Sequence, residues 1–206
     1  MLLHSMYGLS CARYSPSFGT VQESVDIMHV YGLDPSNYVA PSLPLFSLLL
    51  SQAPLYPLAV YALAAQHGLH ELAVSSSSNL LSLDLSTLSD EMSQKLGPTY
   101  LKKLFFLHLG RCDALKRYLV EPPHPHPPTD QCSFVDQRQL STAWSLSAAY
   151  FAWEAKADIS VGMLEGTMGA LGAHLTCSDC KRVLQERIRN LVVQWTLVKV
   201  RRLCAC

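Results

Sequence analysis

Isoleucine, valine and charged side chains are scarce in this sequence of 206 residues. It has 3 Ile and 14 Val against 35 Leu, and because β-branched residues favour strands while Leu favours helices, this composition argues against a sheet-based fold. Charged residues make up 16% of the chain and balance at a formal net charge of +0, which excludes an acidic disordered tail and a strongly basic nucleic-acid-binding protein. We therefore predict an all-α protein and expect no nucleic-acid partner.

The sequence also lacks the short motifs that identify common enzymes. It has no G-x-S-x-G, H-E-x-x-H, Gly-rich dinucleotide loop or G-x-x-x-x-G-K-[ST] phosphate loop, and its carboxylates are few. His67, His70 and His108 lie in predicted helices beside apolar residues, where a structural histidine is the usual interpretation. We accordingly predict that the protein is not an enzyme and has no catalytic residue and no cofactor.

Targeting and membrane-spanning segments are not evident either. The first residues have neither the basic region nor the long apolar run of a signal peptide. Seven scattered cysteines do not form the dense, even-numbered set of a secreted disulfide scaffold. The uncharged stretch 35–69 is divided by prolines at positions 41, 44, 54 and 57, so we predict no transmembrane span. A cytoplasmic or nuclear location is expected.

Cap and turn residues delimit the predicted helices. Thr20 and Glu23 form a capping box that opens a helix ending near Tyr31, with Gly32 just behind it. Gly110 is expected to separate two helices in the middle of the chain. Further helices are predicted over 57–67, 69–81, 100–109, 112–120 and 161–174.

A proline-rich stretch, residues 121–130, predicts an extended linker. Its two histidines, His124 and His126, could touch a metal, or the segment could present a ligand to SH3 or WW grooves, but a solvated linker is the favoured interpretation. Ser133 and Asp136 then form a second capping box, which opens another helix. The fold predicted from these patterns is an irregular domain of about seven to nine helices.

The last predicted helix is long and amphipathic, running from about Cys177 to Leu203. It accounts for much of a charge asymmetry: residues 1–100 carry two cations against seven anions, whereas residues 101–206 carry fourteen against nine. Opposite its apolar stripe, basic residues form a predicted interaction surface. This surface comprises Lys181, Arg182, Arg187, Arg189, Lys199, Arg201 and Arg202.

His174, Cys177 and Cys180 are the best local set of metal-ligating residues. Imidazole and two thiolates are zinc ligands at familiar spacing, but a fourth ligand is not evident, because Cys204 and Cys206 would lie about 36 Å away along a helix. A redox pair is a further alternative, although the βαβ context of such motifs is missing. The favoured interpretation is that both cysteines face the core and that no metal is bound. A small metal- or thiol-dependent regulator using these three residues is the alternative.

The terminal residues offer another alternative. Arg201-Arg-Leu-Cys204-Ala-Cys206 resembles the twin-cysteine terminus that receives prenyl groups on Rab-type GTPases, although the phosphate loop of those proteins is missing. A peripheral membrane protein that binds through its basic final helix and terminal cysteines is therefore a third hypothesis.

Several blocks of the sequence resemble one protein family. The segment 2–8, followed by 21–32, resembles the closing helices of a BTB/POZ domain. The blocks 57–69, 100–111, 133–144 and 175–181, together with the last helix, are similar to the region that follows the BTB domain in the large BTB family of basidiomycete fungi. The opening strands and dimer-forming helices of that domain have no counterpart in this sequence.

The resemblance implies a domain division and a function. Residues 1–33 would be a remnant of the C-terminal end of a BTB/POZ domain, and residues 34–206 a helical BTB-associated extension with an internal linker at 121–130. The implied function is a non-enzymatic protein–protein interaction module, adaptor or regulatory, with a protein partner. A BTB-type homo-oligomer is expected only if the remaining half of the domain precedes residue 1.

Overall fold

The structure, a computed structural model, describes residues 1–198. Over this range the backbone forms α-helices joined by 3-10 turns and irregular segments, with no strand beyond an isolated bridge between Thr129 and Cys132. The predicted all-α class is confirmed. Within the same range no helix has both the length and the apolar character needed to cross a bilayer.

Nine α-helices lie in the described range, at the upper end of the predicted number. They are α1 (Leu2–Met6), α2 (Phe18–Asp26), α3 (Pro44–Gln52), α4 (Pro57–Gln66), α5 (His70–Ser76), α6 (Asp90–Val120), α7 (Phe134–Trp153), α8 (Val161–Ala170) and α9 (Ser178–Thr196). The last of these ends at Thr196, before the predicted Leu203, and residues 199–206 lie outside the described part of the chain.

The chain divides into two compact units, Met1–Leu107 and a second that begins at His108, and each has its own hydrophobic core. The boundary predicted between residues 33 and 34 does not coincide with a division of the core. Val25 and Met28 belong to the same buried cluster as Leu45 and Leu49, because α2 and α3 pack within the first unit. The assignment of 1–33 to a BTB remnant stays a prediction.

Helix α2 begins earlier than the predicted capping box. Ser17 is its N-cap, since the backbone N–H of Thr20 donates to Ser17 Oγ at 3.3 Å, and Thr20 itself lies inside the helix. This start brings Phe18 into the core at 9% exposure. The predicted end holds: a 3-10 turn, Ile27–Tyr31, follows α2, and Gly32 has a φ of 71°, the left-handed conformation that glycine adopts most readily.

The segment 44–80 contains one helix that the pattern did not predict and one that is shorter than predicted. Pro44 occupies the first turn of α3, a position where proline is tolerated because its missing N–H has no partner there. Residues 69–81 are predicted as one helix, but in the structure they form α5 and a 3-10 turn at Ser77–Leu80. Ser76 and Ser77 are buried, and Ser76 Oγ donates to the carbonyl oxygen of Leu72 at 2.8 Å.

Helix α6 is kinked at Gly97 but continues through Gly110. Gly97 has φ 66° and ψ 169°, which interrupts the helix before Pro98. The predicted break at Gly110 is wrong, because a helical glycine costs only about 1 kcal/mol relative to alanine. Burial of Leu107 and Leu115 on either side of it outweighs that cost.

The second unit is built from the end of α6 and helices α7, α8 and α9. The predicted capping box of α7 is confirmed: Asp136 N–H donates to Ser133 Oγ, and Ser133 N–H donates to Asp136 Oδ2 at 2.8 Å. The apolar stripe of α9 is confirmed as well. Its buried members join the core that holds Trp144 and Phe151, and they are Leu184, Ile188, Leu191 and Trp195.

Candidate metal centre

Four metal-ligating side chains converge in the second unit. They are His126, Cys132, Cys177 and Cys180, whose ligand atoms all lie within 4.8 Å of one another. The sequence pattern predicts Cys177 and Cys180 in this role but not Cys132, and it favours a solvated linker at His126. The fold thus brings the cysteine pair at the start of α9 together with two residues that precede α7.

The spacing of these atoms matches a tetrahedral zinc site. Bonds of about 2.3 Å to sulfur and about 2.0 Å to nitrogen would place sulfurs about 3.8 Å apart and nitrogen and sulfur about 3.5 Å apart. The Nε2 atom of His126 lies 3.3 Å from Cys180 Sγ and 3.4 Å from Cys177 Sγ. The Sγ atoms of Cys132 and Cys180 are 3.6 Å apart. These three separations are thus close to those of a tetrahedral zinc site, and the remaining ones are at most 4.8 Å.

His126 is oriented by the chain on both sides of it. Prolines at positions 125, 127 and 128 restrict the backbone of this segment. Nδ1 lies 2.7 Å from the carbonyl oxygen of Pro127. Because a carbonyl can only accept, Nδ1 carries the proton and Nε2 is left as the metal-binding atom, the arrangement usual for histidine ligands. The side chain is buried, so the predicted solvated linker is wrong at this position.

Cys132 is fixed by a tight turn just before α7. The N–H of Thr129 donates to the carbonyl oxygen of Cys132 at 3.0 Å, and the N–H of Cys132 donates back at 3.1 Å. Ser133, the next residue, is the N-cap of α7. Cys132 is 2% exposed and part of the hydrophobic core of the second unit. Its position is thus set by the turn, the helix start and the core together.

Cys177 and Cys180 occupy the first turn of α9. Cys177 is the N-cap residue, and its nearness to the backbone N–H groups of Cys180 and Asp179, which favour a negative charge on its sulfur, lowers the pKa of the Cys177 thiol to about 7. Burial, together with the neighbouring thiols of Cys132 and Cys177, raises the pKa of Cys180 to about 12. Burial also raises the pKa of Cys132. A bound cation would keep all three sulfurs as thiolates.

His174, the third member of the predicted set, does not join the cluster. It is exposed and ends the 3-10 turn Leu171–His174 that follows α8. His124 is exposed too, with Nε2 3.4 Å from Glu121 Oε1. Among the described residues, the predicted set thus contains two of the four converging side chains, Cys177 and Cys180. The histidine that lies near these cysteines in the structure is His126 and not His174.

A cavity of about 580 Å³ adjoins the cluster. Its walls include the three cysteines, and His174 and Thr176 line it as well. Cys177 is partly exposed, whereas the other three side chains of the cluster are buried. Small molecules can therefore reach the cluster from the side of Cys177.

The predicted basic surface is smaller than expected. Lys181 and Arg189 are exposed, and Arg182 forms ion pairs with Asp179 and Glu186 at 3.2 Å and 3.3 Å. Including Arg187 in this surface was wrong, because its side chain is buried at 7% exposure. Lys199, Arg201 and Arg202 lie outside the described residues, as do the terminal cysteines on which the membrane hypothesis depends.

The histidines interpreted as structural make contacts within the described range. His67 Nε2 lies 2.6 Å from Asp26 Oδ1, and its Nδ1 lies 3.1 Å from His29 Nε2, so that it links the end of α4 to the region around the end of α2. His108 is buried and has an interaction partner. His70 is exposed at the start of α5.

Comparisons with known proteins do not identify a family. Protein-family profiles, curated proteins and solved structures give no match to the chain. The resemblance to the basidiomycete BTB/POZ family therefore stays a prediction. What is argued about function below rests on the geometry of the four-residue cluster.

A sequence signal for the missed ligands does exist. Both precede the helix that begins after Ser133, and His126 is enclosed by prolines that hold its backbone extended. Among the described residues, the ligands that complete the set lie upstream of Cys177, not downstream towards Cys204 and Cys206. A pairing of His-x5-Cys upstream with Cys-x2-Cys downstream supplies four ligands of the zinc-binding type.

Proposed function

We propose that the chain is a non-enzymatic interaction protein whose second unit is stabilised by one zinc ion. The ion is bound by His126, Cys132, Cys177 and Cys180. The observation that carries the proposal is the convergence of these four ligand atoms within 4.8 Å of one another, with three of their separations, 3.3, 3.4 and 3.6 Å, close to those of a tetrahedral site.

The donor set favours zinc over other metals. Three thiolates and one imidazole are soft to intermediate ligands, whereas magnesium and calcium prefer oxygen. Four protein ligands complete a tetrahedron, which is typical of structural zinc sites, while catalytic sites keep one position open for water or substrate. The metal is therefore expected to serve the fold and not a reaction.

The ion would join parts of the chain that are far apart in sequence. His126 and Cys132 precede α7, and Cys177 and Cys180 lie at the start of α9, with α7 and α8 between them. Structural zinc contributes about 10–16 kcal/mol of apparent binding energy in zinc-finger peptides, which is comparable to the whole stability of a small domain. Loss of the metal is thus expected to loosen the second unit.

An exposed apolar stripe on α7 supports a role in protein binding. Leu146, Tyr150 and Trp153 follow one another at helical spacing and are 69%, 61% and 88% exposed. Aromatic side chains dominate the energetics of protein interfaces. A protein partner is part of the proposal, as is an adaptor or regulatory role like that implied by the BTB/POZ resemblance. Thiolate ligands require a reducing compartment, so we place the protein in the cytoplasm or nucleus.

Metal analysis of the purified, untagged protein tests the site. Under reducing conditions we expect one zinc per chain. His126→Ala should weaken zinc affinity by more than about 100-fold in competition with a chromogenic chelator, since even loss of a second-shell partner costs 10–100-fold. The matched control is His124→Ala, which removes an exposed histidine from the same segment and should leave affinity unchanged.

Two results would overturn the proposal. Equal zinc affinity in the His126 and His124 variants would show that the cluster does not bind the metal. Reproducible turnover of a small substrate by the zinc-loaded protein would remove the non-enzymatic part.

A further inference from the structure

Cys177 is the one partly exposed member of the four-residue cluster, which points to a way of regulating the site. On the basis of the proposed zinc site, we propose that Cys177 is an oxidation site: its thiolate is oxidised by hydrogen peroxide, and a disulfide that then forms with Cys180 releases the zinc.

Access distinguishes Cys177 from the other three ligands. His126, Cys132 and Cys180 are 6%, 2% and 3% exposed, whereas Cys177 is partly exposed. All three cysteines line the cavity of about 580 Å³, and Cys177 is the one among them that is not buried. Hydrogen peroxide is far smaller than this cavity. Oxidation-sensitive cysteines are characteristically accessible and lie next to a second cysteine that can resolve the first product. The first turn of α9 supplies both features.

The first step oxidises Cys177 to a sulfenic acid. The thiolate sulfur attacks one oxygen of hydrogen peroxide, so that an S–O bond forms and the O–O bond breaks. The departing hydroxide takes a proton from solvent and becomes water. Sulfur gives up the two electrons that the peroxide gains, and the oxidised sulfur is no longer an anionic ligand for the metal.

The second step forms the disulfide. The Cys180 thiolate attacks the sulfenic sulfur of Cys177, an S–S bond forms, the S–O bond breaks, and the hydroxide again leaves as water after taking up a proton. In sum, two thiolates, one hydrogen peroxide and two protons yield one disulfide and two waters. His126 and Cys132 alone then remain as ligands, and zinc dissociates.

Cys180, not Cys132, is the expected partner. Cys132 Sγ also lies within 4.8 Å of Cys177 Sγ, but the two residues belong to separate segments, which the proposed metal joins. Cys177 and Cys180 are separated by a single helical turn, so they stay adjacent when coordination weakens. Zinc release would thus free the segment 122–132 from its metal link to α9.

Peroxide treatment of the zinc-loaded protein, followed by tryptic peptide mapping, tests the inference. One equivalent of hydrogen peroxide should release one equivalent of zinc to a chromogenic chelator. The tryptic peptide 157–181 contains both Cys177 and Cys180 and should lose two hydrogens. A disulfide involving Cys132 would instead join this peptide to the peptide 118–138. Reduction with a dithiol and fresh zinc should restore the loaded protein.

The outcomes separate this inference from the proposed function. Zinc bound before treatment but retained after it, with Cys177 unmodified, would refute the oxidation site and leave the zinc site standing. A crosslink to Cys132 would refute the choice of partner. Protein that binds no zinc before treatment would overturn the proposed function itself. Cys112→Ser is the matched control, because Cys112 is also partly exposed but lies outside the cluster, and it should not change zinc release.

Discussion

Replacing the buried Arg187 by alanine is expected to destabilise the second unit strongly. Its Nε donates to the carbonyl oxygen of Glu121 at 2.9 Å, and a second guanidinium nitrogen donates to the carbonyl oxygen of Tyr118. The guanidinium also lies 5.2 Å from the centre of the Trp144 ring. Through these contacts Arg187 satisfies carbonyls at the end of α6 and anchors the start of the segment that carries His126.

The size of the effect follows from these contacts. A hydrogen bond to a charged group contributes about 1.5–3 kcal/mol, and a partly desolvated cation–π contact about 1–2 kcal/mol. The alanine variant loses two such hydrogen bonds and the ring contact and leaves two carbonyls with fewer partners. Water can enter the space and recover part of the loss, so we expect a decrease of about 3–5 kcal/mol in the free energy of unfolding, a large share of the stability of a small domain.

Urea unfolding of the zinc-saturated protein, followed by tryptophan fluorescence and circular dichroism, measures this decrease. Arg189→Ala is the matched control, because Arg189 is on the same helix, carries the same charge and is exposed. Its replacement should change the free energy of unfolding by less than about 0.5 kcal/mol. If the two variants differed by less than about 1 kcal/mol, the assignment of Arg187 to the cap of α6 would be refuted.

Two further predictions concern the metal ligands and the backbone. At pH 7, zinc binding should release roughly two to three protons, because the Cys177 thiol with a pKa of about 7 is half ionised while the raised pKa values of Cys132 and Cys180 keep those thiols protonated. Affinity should therefore rise with pH, and calorimetry in buffers of different ionisation enthalpy gives the proton count; release of fewer than one proton would contradict thiolate coordination. Gly97→Ala should destabilise the first unit by about 1–3 kcal/mol, because a backbone with φ 66° and ψ 169° is accessible almost only to glycine. Gly166→Ala lies in α8, where no atom is within 4 Å of the added Cβ, and should stabilise the second unit by about 0.5–1 kcal/mol. Denaturant unfolding compares the two, and a change of the same sign in both variants would contradict this explanation.

Local interactions explain which parts of the fold the sequence predicted. The capping box of Ser133 and Asp136 and the left-handed turn at Gly32 depend on neighbours within a few residues, and both are present in the structure. Gly110 shows the opposite case, because Leu104 before it and Leu115 after it belong to hydrophobic clusters whose other members are mostly distant in sequence. At this position the burial of these leucines outweighs the low helix propensity of glycine.

The same division holds for the metal cluster. Cys177 and Cys180 could be recognised because three residues along a helix bring side chains to one face. His126 and Cys132 could not be placed beside them, since the contact depends on how α7 and α8 fold back between the two pairs. The burial of Arg187 could not be predicted for a different reason. Its charge suggests an exposed face, but the long side chain can bury its stem and still reach backbone carbonyls.

Because of the turn between Thr129 and Cys132, the position of Cys132 depends more on the number of residues in this segment than on their identity. Both of its hydrogen bonds are made by backbone atoms, so most side chains at 129–131 can change without moving Cys132. An added or deleted residue between His126 and Cys132, by contrast, shifts one ligand away from the other three. Homologous proteins that keep the metal should therefore vary in residue identity at 129–131 but show no insertions or deletions between His126 and Cys132.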